Sequence, residues 1–203
     1  MTAIRPAFAP WDERETPRIL SADDAARRCR IFAEVERRLS TLLEQWAEVV
    51  EEPHARGTLT RHARNHAWHA ELWDGVMSDA TEPSDGTIPD DAVANFMELV
   101  AQPQAPEELI ELLAGVYRVL LPRKITAYTY YQRAIGSGAD ADNRWLDIIL
   151  KDEFDSVRDG ELLLQSLLAG EAEARRAADR RAVLESLIVK AGGLAGPGTL
   201  GEI

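Results

Sequence analysis

The sequence predicts an all-α protein, a four-helix bundle with one long crossover. Three observations carry that prediction. Four segments of 20 to 30 residues repeat apolar side chains at helical spacing, and no segment alternates as a strand would. Short loops join the first pair of segments and follow the last long one. Between the two pairs lie the 29 residues 78–106, rich in Pro, Gly, Ser and Asp and long enough to run along the bundle.

Taken in order, residues 1–20 carry Pro6, Pro10 and Pro17 and read as an irregular arm. Ser21 offers an N-cap hydroxyl, Asp23 and Asp24 suit the first turn, and nothing interrupts a helix from about 22 to 50. A loop from Glu51 to Gly57 leads to a second helix from Thr58 to Met77. The crossover holds a short amphipathic helix marked by Val93, Phe96, Met97 and Val100. Pro106, followed by Glu107 and Glu108, opens a third long helix that runs to about Ile135, ended by Gly136 and Gly138. A fourth covers about 141–169, and after Gly170 a charged helix reaches Lys190. The domain division is therefore an arm (1–20), one helical-bundle domain (21–190) and a flexible Gly-rich tail (191–203).

Composition narrows the function. The 203 residues carry 23 Lys plus Arg against 35 Asp plus Glu, a formal charge of −12, with no basic patch. Such a body repels phosphate backbones and anionic lipid, so neither nucleic acid nor membrane is an expected partner. The single cysteine, Cys29, excludes an internal disulfide framework and a thiolate zinc site. Met1–Pro10 lacks the basic-then-apolar pattern of a signal segment, and no apolar run is of membrane-spanning length, so a soluble cytoplasmic protein is expected.

Projecting each helix at 100° per residue reveals polar residues on apolar faces. In the first helix Glu36 lies among Cys29, Phe32, Leu39, Leu43, Trp46 and Val50, whereas Glu34, Glu44 and Glu48 fall outside the arc. In the second, His62, His66 and His69 share the face of Leu59, Ala63, Ala70, Trp73 and Met77. Lys124 sits at the centre of a face formed by Leu109, Leu113, Tyr117, Leu120, Tyr128, Tyr131 and Ile135. Glu153, with Ser156 beside it, sits among Leu146, Ile149, Val157, Leu164 and Leu167. Singly, each reads as a hydrogen-bonded core histidine, a snorkelling charge or a core aromatic. Together they fall near the middles of their helices, so one polar layer spans the bundle. Burying that much charge requires partners or a metal.

The order of these residues resembles that of the ferritin-like di-iron carboxylate bundles. That family uses a Glu on the first helix, Glu-x-x-His on the second, a Glu on the third and Glu-x-x-His on the fourth. The resemblance covers about residues 22–169. Glu36 matches the first carboxylate. His66-Ala67-Trp68-His69 keeps His69 but has a His where the bridging Glu belongs. Lys124 stands where the third-helix Glu is expected, and Glu153-Phe154-Asp155-Ser156 keeps the Glu and lacks the His. The resemblance implies oxygen-dependent chemistry, but an ammonium in place of a carboxylate disfavours a two-metal centre.

Two classes of function follow. In the first, Glu36, His66, His69 and Glu153 bind a single transition metal, an Fe or Mn ion, for oxygen-dependent or redox chemistry on a small molecule. Lys124 is then the candidate catalytic residue, holding the remaining carboxylate oxygens or orienting a peroxide or a substrate carboxylate. In the second, the layer holds no metal. Lys124 pairs with Glu36 and Glu153, and the bundle is a scaffold, accessory subunit or small-molecule binding protein. Three aligned histidines exceed what ion-pair satisfaction needs, which weighs toward the metal. No other cofactor is expected. The helix at 171–190 is expected to dock on the bundle, with a homodimer contact as the alternative. His54 reads as a solvated loop residue. Asp152, Asp155 and Asp159 read as a solvated edge, with Asp155 a reserve ligand.

Overall fold

A computed structural model of the protein describes residues 20–77, 87–135 and 144–194. The remainder of the expected arm and tail, Gly136, Gly138 and the side chain of Met77 lie outside the described residues. Helix α1 spans Ala22–Val49. As expected, Ser21 Oγ accepts the Asp24 N–H at 3.1 Å, and Asp23 and Asp24 lie at the positive end of the helix.

Helix α2 spans Pro53–Met77, starting five residues before the expected Thr58. Pro53 occupies the first helical position, where a missing N–H costs nothing. The Glu52 carboxylate caps the turn, accepting the N–H groups of His54 at 2.8 Å and Ala55 at 2.5 Å. The expected 51–57 loop thus shortens to Val50–Glu52, and His54 is an exposed residue of the first helical turn rather than of a loop.

Helix α3, Asp91–Val100, is capped by Asp90 and buries Val93, Phe96, Met97 and Val100. The third long segment is composite. A 3₁₀ turn at Pro106–Glu108 leads into α4, Leu109–Gly115. A π-helical turn at Val116–Leu120 follows, and then α5, Leu121–Ala134. Pro122 accounts for the wide turn. It has no N–H to give, and its ring opposes the carbonyl one turn back, so the backbone widens before it and Leu121 N–H reaches Val116 O. Helices α6, Arg144–Leu167, and α7, Glu171–Lys190, complete the described elements. Among the described residues there is no strand.

Cross-helix contacts set the directions. Glu36 meets His66 while Phe32 packs on Trp73, so α1 and α2 are antiparallel. Lys124 meets Glu36 while Tyr131 meets Cys29, so α5 opposes α1. Lys124 also meets Glu153 while Arg118 pairs with Glu161, so the composite helix opposes α6. Arg61–Asp159 and Trp73–Trp145 set α2 against α6. Each long helix therefore runs against two neighbours, and α2 and α5 run the same way. A chain joining two such helices must travel back along their length, which is why the connection holding α3 is long.

Helix α7 packs on α4 and α3, burying Ala177, Leu184 and Ile188. A Cβ on Gly115 would lie 2.9 Å from Leu184 Cδ1, so that glycine allows the close approach. Arg176 clamps the helix to both oxygens of Glu111 at 2.5 and 2.6 Å. Val183 on the outer side of the helix faces solvent at 53% exposure. The end of α7 corrects the expected tail. Gly192 and Gly193 take φ of 78° and 94°, returning their N–H groups to Val189 O at 3.1 Å and Ile188 O at 2.9 Å. That turn carries Leu194 into the core, so 191–194 close the helix and are not a loose tail.

Among the described helical glycines, Gly160 on α6 leaves the least room for a side chain. A Cβ there would lie 2.1 Å from the Tyr117 ring, which the π-helical turn presses against the α6 backbone. Gly160→Ala gains helix propensity of about 1 kcal/mol but must displace a packed ring. We expect a net destabilisation of roughly 3 kcal/mol in urea unfolding. In a Tyr117→Ala background the same change is expected to cost less than about 1 kcal/mol, because the ring it strikes is gone.

Candidate metal centre

Glu36 from α1, His66 and His69 from α2, Lys124 from α5 and Glu153 from α6 converge at mid-depth, as their helical phase predicts. Glu36, His66, Lys124 and Glu153 are 0% exposed and His69 is 1% exposed. Lys124 Nζ donates to Glu36 Oε2 at 2.7 Å and to Glu153 Oε1 at 2.8 Å, and lies 3.3 Å from His66 Nδ1. His66 Nδ1 is 2.8 Å from Glu36 Oε2. His69 Nδ1 lies 3.3 Å from Glu153 Oε1 and 3.8 Å from Glu36 Oε1, without an aligned hydrogen bond to either. Ser156 is buried beside this group, as expected.

The electrostatics follow from burial against charge. Burial drives both carboxyl groups up, but the Lys124 ammonium and the imidazole of His66 overcome it. Glu36 is held below and Glu153 well below the usual carboxylate range. His69 shows the converse. Burial lowers it, yet the carboxylates of Glu153 and Glu36 raise it above an ordinary imidazole. Burial, reinforced by the same two carboxylates, keeps the Tyr128 phenol protonated far above its usual range. Two carboxylates and one ammonium leave a net charge of −1 in a space closed to water. A proton on His69 cancels it, and a divalent cation turns it to +1.

The donor set suits a transition ion. One donor atom from each of Glu36, His66, His69 and Glu153 lies within 4.8 Å of all the others. Bonds of about 2.1 Å to nitrogen and oxygen give tetrahedral donor–donor edges of about 3.4 Å. The separations of His66 Nδ1 and His69 Nδ1 from Glu153 Oε1, 3.5 and 3.3 Å, match that value, while those to Glu36 are 2.8 Å to Oε2 and 3.8 Å to Oε1. Two imidazoles with two carboxylates match the preferences of Fe, Mn, Co or Zn. Three buried atoms of the group, His66 Nε2, His69 Nδ1 and Glu153 Oε2, have no hydrogen-bond partner, so Lys124 does not satisfy the layer by itself. Lys124 Nζ nevertheless sits on the same two carboxylate oxygens, so the ammonium and a metal ion compete for them.

Several neighbours depart from the sequence reading. Asp152, read as solvated edge, lies 3.4 Å from His69 Nε2 and orients that ring with Nδ1 toward the carboxylates. Its place one residue before Glu153, on the flank facing α2, is the signal that was available. Asp155 is not a ligand: it pairs outside with Lys151 at 2.8 Å and Arg158 at 3.1 Å. Asp159 pairs with Arg61 at 2.8 Å. Tyr128, read as a core aromatic, donates to Glu36 Oε1 at 2.6 Å; its position four residues after Lys124 puts both on one face. Glu34, placed outside the apolar arc, is buried beneath Arg37 and Arg38, which bind it at 2.9 and 3.4 Å. His62 is buried as expected but stands apart from the four clustered donors, its Nδ1 in a 2.8 Å hydrogen bond with Tyr117 Oη.

His62 makes stability pH-dependent. Burial first, then the neighbouring imidazole of His66, depress it to about 4. Below pH 6.5 the unfolded imidazole binds a proton that the folded one refuses, so stability is lost as pH falls from 6.5 toward 4. The loss amounts to about 3 kcal/mol. We expect His62→Gln, which keeps a hydrogen-bonding partner for Tyr117, to flatten that part of the pH–stability curve measured by urea unfolding.

Set against models of known protein families, against curated proteins and against solved structures, the chain matches none.

Proposed function

We propose that the chain is a ferritin-like four-helix bundle that binds one divalent transition metal ion, Fe or Mn, for oxygen-dependent or redox chemistry on a small molecule. The observation that carries this reading is the convergence of four buried donors within 4.8 Å while three buried donor atoms lack partners. The helix directions support the connectivity: α2 and α5 are parallel and joined by a long crossover, as in that superfamily. When bound, such an ion supplies one-electron redox chemistry and a coordination position for a small species. Glu36, His66, His69 and Glu153 hold it, Asp152 orients His69, and Tyr128 holds Glu36 through a phenolic hydrogen bond. Lys124, whose ammonium lies on the same two carboxylates, would stand beside the ion and could orient an anionic reactant there. Full burial keeps bulk water out, so only a small reactant reaches the centre without opening the helices.

A second reading has its own observation. Lys124 Nζ already bridges Glu36 and Glu153 at 2.7 and 2.8 Å, so the layer also serves as a metal-free ion-pair core of a scaffold or binding protein. Here Lys124 replaces the metal charge.

Elemental analysis separates the two. Protein purified without chelator or added metal is expected to carry close to one Fe or Mn per chain. His69→Ala is expected to abolish that while leaving helical circular dichroism intact. No metal, with no thermal shift on adding Fe(II), Mn(II) or Zn(II), would establish the metal-free reading, because binding to the folded state alone must raise stability.

Lys124→Met tests the same point energetically. Without metal it strands two buried carboxylates and is expected to cost roughly 3–5 kcal/mol. With metal bound the cation neutralises them, and the cost is expected to fall to roughly 1 kcal/mol or less, returning on chelation. Lys124→Glu with Ser156→His supplies the missing family ligands, and metal content is expected to rise above wild type if the bundle geometry is ferritin-like.

A further inference from the structure

We propose that Trp145, Trp73 and Tyr128 form a conduit that moves single electrons between the protein surface and the buried polar centre, ending at Tyr128, whose phenolic proton passes to Glu36. Trp145 stands half-buried in the first turn of α6. Its ring centroid is 4.8 Å from that of Trp73, edge to face at 87°. Trp73 is 4.9 Å from Tyr128, and Tyr128 Oη is 2.6 Å from Glu36 Oε1. Electronic coupling falls exponentially with the gap between groups, and these rings touch. Indole and phenol are oxidisable side chains; the Phe32 ring in the same cluster, 4.9 Å from Trp73, is not.

The hydrogen bonds give the conduit its end point. Trp73 is fully buried and its indole N–H lies against the Tyr128 phenol without a strictly aligned hydrogen bond, so a hole on Trp73 has that phenol as its outlet. Tyr131 also lies 5.4 Å from Trp73, but its hydroxyl meets the Cys29 thiol at 3.1 Å and no carboxylate. Tyr128 alone of the two faces a carboxylate base. The balance is complete. A one-electron oxidant at the surface removes an electron from Trp145, which takes one from Trp73, which takes one from Tyr128. Both indoles return to their closed-shell form. Tyr128 becomes a neutral phenoxyl radical, and Glu36 holds its proton as a carboxylic acid.

The conduit rests on ring geometry and not on the bound ion, so it is tested on chelated protein. Tris(bipyridine)ruthenium(II), flash-excited and quenched by a cobalt(III) pentaammine complex, serves as the surface oxidant. The readout is the part of the tyrosyl absorbance and electron paramagnetic resonance signal that Tyr128→Phe removes. Trp145→Phe and Trp73→Phe are each expected to reduce that part at least tenfold, and Tyr131→Phe to leave it within twofold. Trp145 is half-buried, so its variant stays informative if Trp73→Phe fails to fold. A Tyr128 signal of wild-type size in folded Trp145→Phe, no Tyr128-dependent signal in wild type, or its loss in Tyr131→Phe would overturn the conduit. None of these outcomes bears on metal content, which elemental analysis decides separately.

Discussion

The rest of the molecule depends on keeping two carboxylates ionised where no water reaches them. Glu36 and Glu153 come from helices that meet only through what lies between them, and Lys124 is what lies between. An isolated buried carboxylate would be protonated or would open the fold. Held by an ammonium at hydrogen-bond distance, the pair instead ties α1, α5 and α6 to one depth and one rotation. The register of the long helices is therefore an electrostatic matter at mid-depth and a packing matter at either end, where Trp73 and Tyr131 on one side and Tyr117 on the other fill the space.

Charge at the centre is incompletely balanced, and that imbalance points to function. A core built for stability alone leaves few polar atoms without partners, and replacing such a cluster with apolar residues commonly stabilises a protein. Here an imidazole nitrogen on each of His66 and His69 and an oxygen on Glu153 remain open. The site is arranged to accept a positive species, a proton on His69 or a metal ion. Lys124 occupies one oxygen of each carboxylate but leaves His66 Nε2, His69 Nδ1 and Glu153 Oε2 without partners.

Around this centre the protein spends irregular backbone where it needs contact. The π-helical turn before Pro122 turns Tyr117 onto the bare backbone of Gly160 and toward His62, one helical turn before His66. The same segment then resumes as α5 with Lys124 and Tyr128 directed at Glu36. A straight helix through Pro122 would clash with its own carbonyl one turn back. The wide turn removes that clash and sets the phase of every α5 residue after it.

Much of this was legible in the sequence, because helical periodicity is a local property: it placed Glu36, His66, His69, Lys124 and Glu153 inward before any contact was known. The Ser21 cap and the ends of α1 and α7 followed from single residues of known preference. The start of α2 was misread because Glu52 caps with a carboxylate two and three residues away, a contact that composition does not rank above the Gly57 signal. Burial of Glu34 depended on two arginines folding over it, and the role of Asp152 depended on how α6 turns toward α2. Which nitrogen of His69 faces the carboxylates, which tyrosine meets Glu36 and which glycine admits a ring were decided only by tertiary structure. Those outcomes rest on the distance between helices, and a one-dimensional pattern gives each helix a face but not the separation or rotation at which two faces meet.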